Sequence, residues 1–132
     1  MSRDEFIKRF EEEIDNEPIK NKNKADIIKN YKKCKNAIYF LYDKENIVIY
    51  VGKAGNGKKT SFAHRMYLHG SGAHCNKSWF DKVDKFRVKE FKNLSNKELS
   101  YIERLMIYAK EQPKFNDSYI SEDKYEEIVN KL

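Results

Sequence analysis

The chain has 132 residues, 39% apolar and 14% aromatic, enough to bury one modest core and too many for a disordered chain. No apolar run approaches the roughly 20 residues of a membrane span, and the charged start MSRDEFIKRFEEE is no secretory signal. The net charge of +6 hides acidic ends (−4 over residues 1–18, −3 over 117–132) around a body of 22 basic and nine acidic side chains, a distribution that suits a polyanion partner.

Taken in chain order, residues 3–15 put Phe6, Ile7, Phe10 and Ile14 on one helical stripe, with Ser2 as cap. Residues 20–35, KNKNKADIIKNYKKCK, read as a basic connector running into a short helix around Ile27, Ile28 and Tyr31, its lysines suited to phosphates. AIYFLY and IVIYV flank DKEN and predict two strands and a turn. TSFAHRMYLHG predicts a short helix capped by Thr60 or Ser61 and stopped by Gly70. GSGAHCNK is a loop, SWFDKV a further helical turn, and DKFRVKEF alternates as a third strand. Ser95 and Glu98 form a capping box for a helix ending near Pro113, and SEDKYEEIVNKL places Tyr125, Ile128, Val129 and Leu132 at helical spacing. Cys34 and Cys75, without a secretory signal, are expected as free thiols, and the cytoplasm as the compartment. The expectation is one α+β domain over 1–132: a small three-stranded antiparallel sheet flanked by helices, with a core over 36–116, a helical extension over 1–35 and a C-terminal helix over 117–132.

GKAGNGKKT, residues 52–60, follows an apolar strand and has the glycines and lysine of a P-loop. Position 59 is lysine where that loop needs a magnesium-binding hydroxyl, and the strand is entered by a tight turn rather than a helical crossover. No later apolar strand ends in the metal-assisting aspartate. A nucleotide hydrolase is therefore disfavoured.

A turn centred on Lys44 and Glu45 would set Tyr39 opposite Tyr50 on one face of the hairpin. Ser61, Arg65 and His69 share one face of the next helix, a pattern that a plain solvated face also produces. Glu103 stands beside the apolar stripe of Leu99, Ile102, Met106 and Ala109, where a carboxylate must be solvated, paired or metal-bound. His64, His69, His74 and Cys75 lack the spacing of a structural zinc site. Trp79 and Phe80 read as core, with stacking on a base as the other use of such an aromatic.

The ordered set AIY (37–39), YVG (50–52), Lys53, Arg65, His69, Glu103 and Asn116 resembles the GIY-YIG nuclease family over residues 36–116, with Ala37 in place of the motif's first glycine. The resemblance implies divalent-metal-dependent hydrolysis of a DNA phosphodiester. It makes Glu103 the ligand for magnesium or manganese, a role one carboxylate can fill because magnesium keeps most of its waters. Arg65 would offset phosphate charge. Tyr39 and Tyr50 would position or deprotonate the attacking water, Lys53 and His69 would assist proton movement, and Asn116 would hold the site together. Holding a free tyrosine as phenolate at neutral pH costs about 4 kcal/mol, whereas histidine ordinarily titrates near neutrality, so Tyr39, Tyr50 and His69 form one proton-handling cluster. Lys53, Lys58, Lys59 and Arg65 would face the DNA backbone. The alternative is a non-catalytic nucleic-acid-binding module on the same scaffold. A double-strand cut from one site per chain favours a homodimer, and target choice falls to loops, terminal helices or a protein partner.

Overall fold

The segment AIYFLY has no strongly polar residue to turn toward solvent, and it becomes the innermost strand. The structure, a computed structural model, describes residues 2–57, 59–71, 80–111, 113 and 116. In chain order the elements are α1 (Arg3–Asp15), β1 (Lys20–Asn21), α2 (Lys24–Tyr31), β2 (Ala37–Tyr42), β3 (Val48–Ala54), α3 (Phe62–Ser71), β4 (Lys85–Glu90) and α4 (Asn96–Ala109). They form an α+β fold around an antiparallel sheet of order β1-β4-β2-β3. The sheet has four strands rather than the expected three. The added strand, β1, is two polar residues in the basic connector, paired to Phe86 and Lys85; so short a polar strand has no pattern of its own to read. The expected C-terminal helix over 117–132 and the loop over 72–77 lie outside the described residues.

Alternation along β2 sends its side chains to two cores. Ala37, Tyr39 and Leu41 join Ile27, Phe62, Met66 and Phe86 beneath α2 and α3. Ile38, Phe40 and Tyr42 join Ile7, Ile14, Leu99, Ile102 and Met106 beneath α1 and α4. Helices thus cover both faces of the sheet, which explains why every residue of β2 is buried. The caps follow the sequence: Ser2 accepts from Glu5 N–H, Asn23 from Asp26 N–H, and Ser95 and Glu98 form the expected capping box. In α3 it is Ser61 Oγ that accepts from His64 N–H, and the helix runs one residue past Gly70. Lys110 Nζ pairs with Glu11 at 2.9 Å and Asp15 at 3.7 Å, tying α1 to the end of α4. Cys34 is a free, buried thiol whose pKa burial, reinforced by Glu90, pushes up to about 12.

The hairpin register corrects the sequence expectation. Asn46 takes a left-handed conformation (φ 62°) after a turn closed by Asn46 N–H to Asp43 C=O, and a bulge follows between Leu41 and Tyr42. Tyr39 therefore lies opposite Gly52, and Tyr50 opposite Leu41. The displacement is two residues, so both tyrosines stay on the same face, now as diagonal neighbours. Tyr39 also lies against the Gly52 backbone: a Cβ built there would stand 2.2 Å from Tyr39 Cζ and 2.4 Å from its hydroxyl oxygen. Tyr39 is fully buried and cannot swing out. Gly52→Ala is accordingly expected to cost about 2 kcal/mol or more, read as a lower midpoint of urea or thermal unfolding. An unchanged midpoint would mean that the ring has room to retreat.

Candidate active site

Gly52 lets the Tyr39 ring cross the sheet face toward α3, and the hydroxyl meets two side chains there. His69, only 2% exposed, places Nε2 2.8 Å from Tyr39 Oη. Arg65, one turn earlier on α3, brings its guanidinium beside the Tyr39 hydroxyl, close enough to favour the ionised form of each. Arginine can only donate, so the Tyr39 hydroxyl oxygen is the acceptor toward Arg65, and it shares a second hydrogen bond with His69 Nε2. Tyr50 completes the group, its ring stacked 6.2 Å from that of Tyr39 and edge-on to His69 at 4.9 Å. Behind His69, Phe80 stacks at 6.2 Å. Lys22 holds Phe80 in turn, donating to its carbonyl at 3.0 Å with Nζ 4.4 Å from the ring centroid.

The electrostatics separate the two tyrosines by access. Burial, reinforced by Tyr50, pushes the Tyr39 pKa well above its ordinary value, and Arg65 offsets only part of this. Tyr39 is therefore a phenol at neutral pH, better suited to orienting its neighbours than to taking a proton from water. Tyr50 is half-buried and is the phenol with access to solvent. Burial works against the charge on Arg65, but Tyr39, Tyr50 and Glu103 more than offset it, and its pKa is raised. Its Nε is buried with no hydrogen-bond partner among the described residues.

Glu103 approaches from α4, on the opposite face of the sheet, so the site wraps around β3. The carboxyl is half-buried, and burial raises its pKa against the pull of Lys53, Arg65 and Arg104. Lys53 Nζ donates to Ser100 Oγ at 2.7 Å, and Ser100 sits one turn before Glu103. Ser100 is a site neighbour that the sequence reading missed; its spacing of three from Glu103 on a helix is the signal that would have found it. Asn116 meets β3 on its open side, where Oδ1 accepts from Val51 N–H and Nδ2 donates to Val51 C=O, both at 2.8 Å.

Tyr39, Tyr50, Lys53, Arg65, His69, Glu103 and Asn116 are thus gathered on and around β3. Lys59 is not with them: it is exposed, takes a left-handed backbone (φ 57°) and lines a basin on the outer side of α3. Lys58, His74, Cys75 and Trp79 lie outside the described residues, and Phe80 is packed against the core as expected. No three His, Cys, Asp or Glu side chains cluster among the described residues, so nothing there resembles a cage for a dehydrated ion. Glu103 alone, a half-buried carboxylate without full compensation, fits a hydrated divalent cation that takes one protein ligand. Comparison with family models, curated proteins and solved structures found no match to this chain, so the site is read from its own geometry.

The Asn116 contact can be tested by exchanging one atom. Asn116→Asp keeps the acceptor for Val51 N–H but sets a carboxylate oxygen against Val51 C=O. A loss of about 1–3 kcal/mol is expected at neutral pH, partly regained below about pH 4, where a protonated carboxyl can donate again. Denaturant melts at both pH values measure it.

Proposed function

We propose that this chain is a divalent-metal-dependent DNA endonuclease of the GIY-YIG type. The observation that carries the reading is spatial. Residues scattered from 39 to 116 converge on β3 from both faces of the sheet, and Arg65 keeps a buried donor with no partner among the described residues. A phosphate oxygen is the natural acceptor for a half-buried guanidinium that stands beside Tyr39.

Each group then has a task set by its surroundings. Arg65 binds the scissile phosphate, and Tyr39, remaining a phenol, fixes the angle of the guanidinium and the position of the His69 ring. Tyr50, the solvent-facing phenol, orients the attacking water beside the His69 ring. Lys53, held by Ser100 until substrate arrives, supplies positive charge and a proton near the leaving oxygen. Glu103 would hold magnesium or manganese, which when bound supplies charge stabilisation for the phosphate and a more acidic water. Asn116 keeps β3 in place, and with it Tyr50 and Lys53. The basic body of the chain adds affinity for DNA without sequence information.

Plasmid nicking with magnesium tests the reading. Wild-type protein is expected to cleave only with the metal, and Glu103→Ala and Arg65→Ala should each lower the rate by about a hundredfold or more. Metal-independent or absent cleavage together with DNA binding would leave a binding module in its place. A second expectation concerns stability. The pKa of Glu103 is raised in the folded state, so its favourable contribution is present below the ordinary glutamate range and is lost as pH rises through the raised folded-state value. Glu103→Gln should therefore unfold at a higher temperature than wild type at pH 7, with the gap closing in acid. Magnesium should raise the wild-type midpoint at pH 7 but not that of the variant; equal shifts would remove Glu103 as the ligand.

A further inference from the structure

The outer side of α3 carries a second feature that the site does not use. Tyr67 is 61% exposed, the most exposed large apolar side chain among the described residues. Its ring stands 6.0 Å from that of His64 at 37°, so the two form one tilted aromatic wall. They line a basin of about 380 Å³ with Lys32, Lys35, Lys59 and Ser61. Among the described residues no acidic side chain lines the basin, and none of the three lysines pairs with a carboxylate. Three lysines thus stand there without a described counter-charge, next to an aromatic face turned to water.

We propose that this basin binds an unpaired stretch of DNA, with bases stacked on Tyr67 and His64 and the backbone against Lys32, Lys35 and Lys59. This rests on the nucleic-acid part of the function proposed above and narrows its substrate to DNA with a single-stranded segment. Lysines alone would serve a duplex equally well. The aromatic wall decides, because a duplex keeps its base faces stacked inside, whereas an unpaired strand offers each one to a ring. Placement agrees with this. His64 and Arg65 are consecutive, His64 on the basin side and Arg65 against Tyr39. A strand in the basin therefore runs within about one helix diameter, ~10 Å, of the proposed phosphate position.

The test is fluorescence anisotropy with a labelled oligothymidylate and a labelled duplex of equal length, on the whole chain without metal. Tyr67→Ala is expected to weaken oligothymidylate binding about five- to a hundredfold while leaving duplex binding nearly unchanged. Tyr67→Trp should retain it. Should Tyr67→Ala fail to fold, Tyr67→Leu, apolar but without a stacking face, carries the same expectation. Replacing the three lysines by alanine should weaken both ligands and flatten the salt dependence. Equal losses for the two ligands on changing Tyr67, no loss for either, or failure of tryptophan to substitute would each overturn the proposal. Tyr67-dependent strand binding by a protein that cleaves nothing would refute the nuclease and keep the basin. Metal-dependent nicking indifferent to Tyr67 in every binding arm would do the reverse.

Discussion

The close approach of Tyr39 to the backbone at Gly52 is the contact on which the rest of the site depends. It exists because one residue of β3 lacks a side chain, and it lets a large ring lie across the sheet instead of standing up from it. Only from that position does the hydroxyl reach His69 and Arg65 together. The same contact buries the ring, and burial keeps the phenol protonated. One missing methyl group thus sets the geometry of the α3 side chains and the protonation state of the group that links them.

The second constraint is electrical. Glu103 is the carboxylate among Lys53, Arg65 and Arg104, and it is half withdrawn from water. Such a placement brings the fold little, since the carboxyl is harder to ionise where it sits than in the unfolded chain. Stability alone would favour an amide or an apolar residue at 103. The cationic surroundings instead make a local field attractive to a polyanion, with one negative point available to a cation. The wider chain repeats that pattern, its acidic helix α1 docked by ion pairs to α4 and its basic residues concentrated between the two ends.

Much of this was readable in the sequence where the determinants are local. The capping box of α4 is four consecutive residues, and the strand AIYFLY matches β2 at both ends. The hairpin was visible but its register was not, because a left-handed Asn46 and a bulge lengthen the path between the strands. The tyrosine pair survived because the slip was even: an odd slip would have put the rings on opposite faces. Strand β1 escaped notice because two polar residues become a strand only by finding β4, some sixty positions later. Asn116 could be assigned a holding role, but its partner, the backbone of Val51, lies 65 residues back and leaves no trace in composition. Tyr67 reads like any helix aromatic until burial shows which face it occupies.

The clasp of Asn116 on Val51 has one further consequence. An outer strand normally shows a row of unsatisfied amides and carbonyls, a template onto which another copy's strand can zip. Here the centre of β3 is already occupied by a side-chain amide that imitates one peptide unit of a neighbouring strand. It ends there, offering nothing for the next residue to continue. The margin that holds Tyr50 and Lys53 is thereby interrupted at its midpoint as a template for sheet extension, because Val51 already has its amide and carbonyl paired.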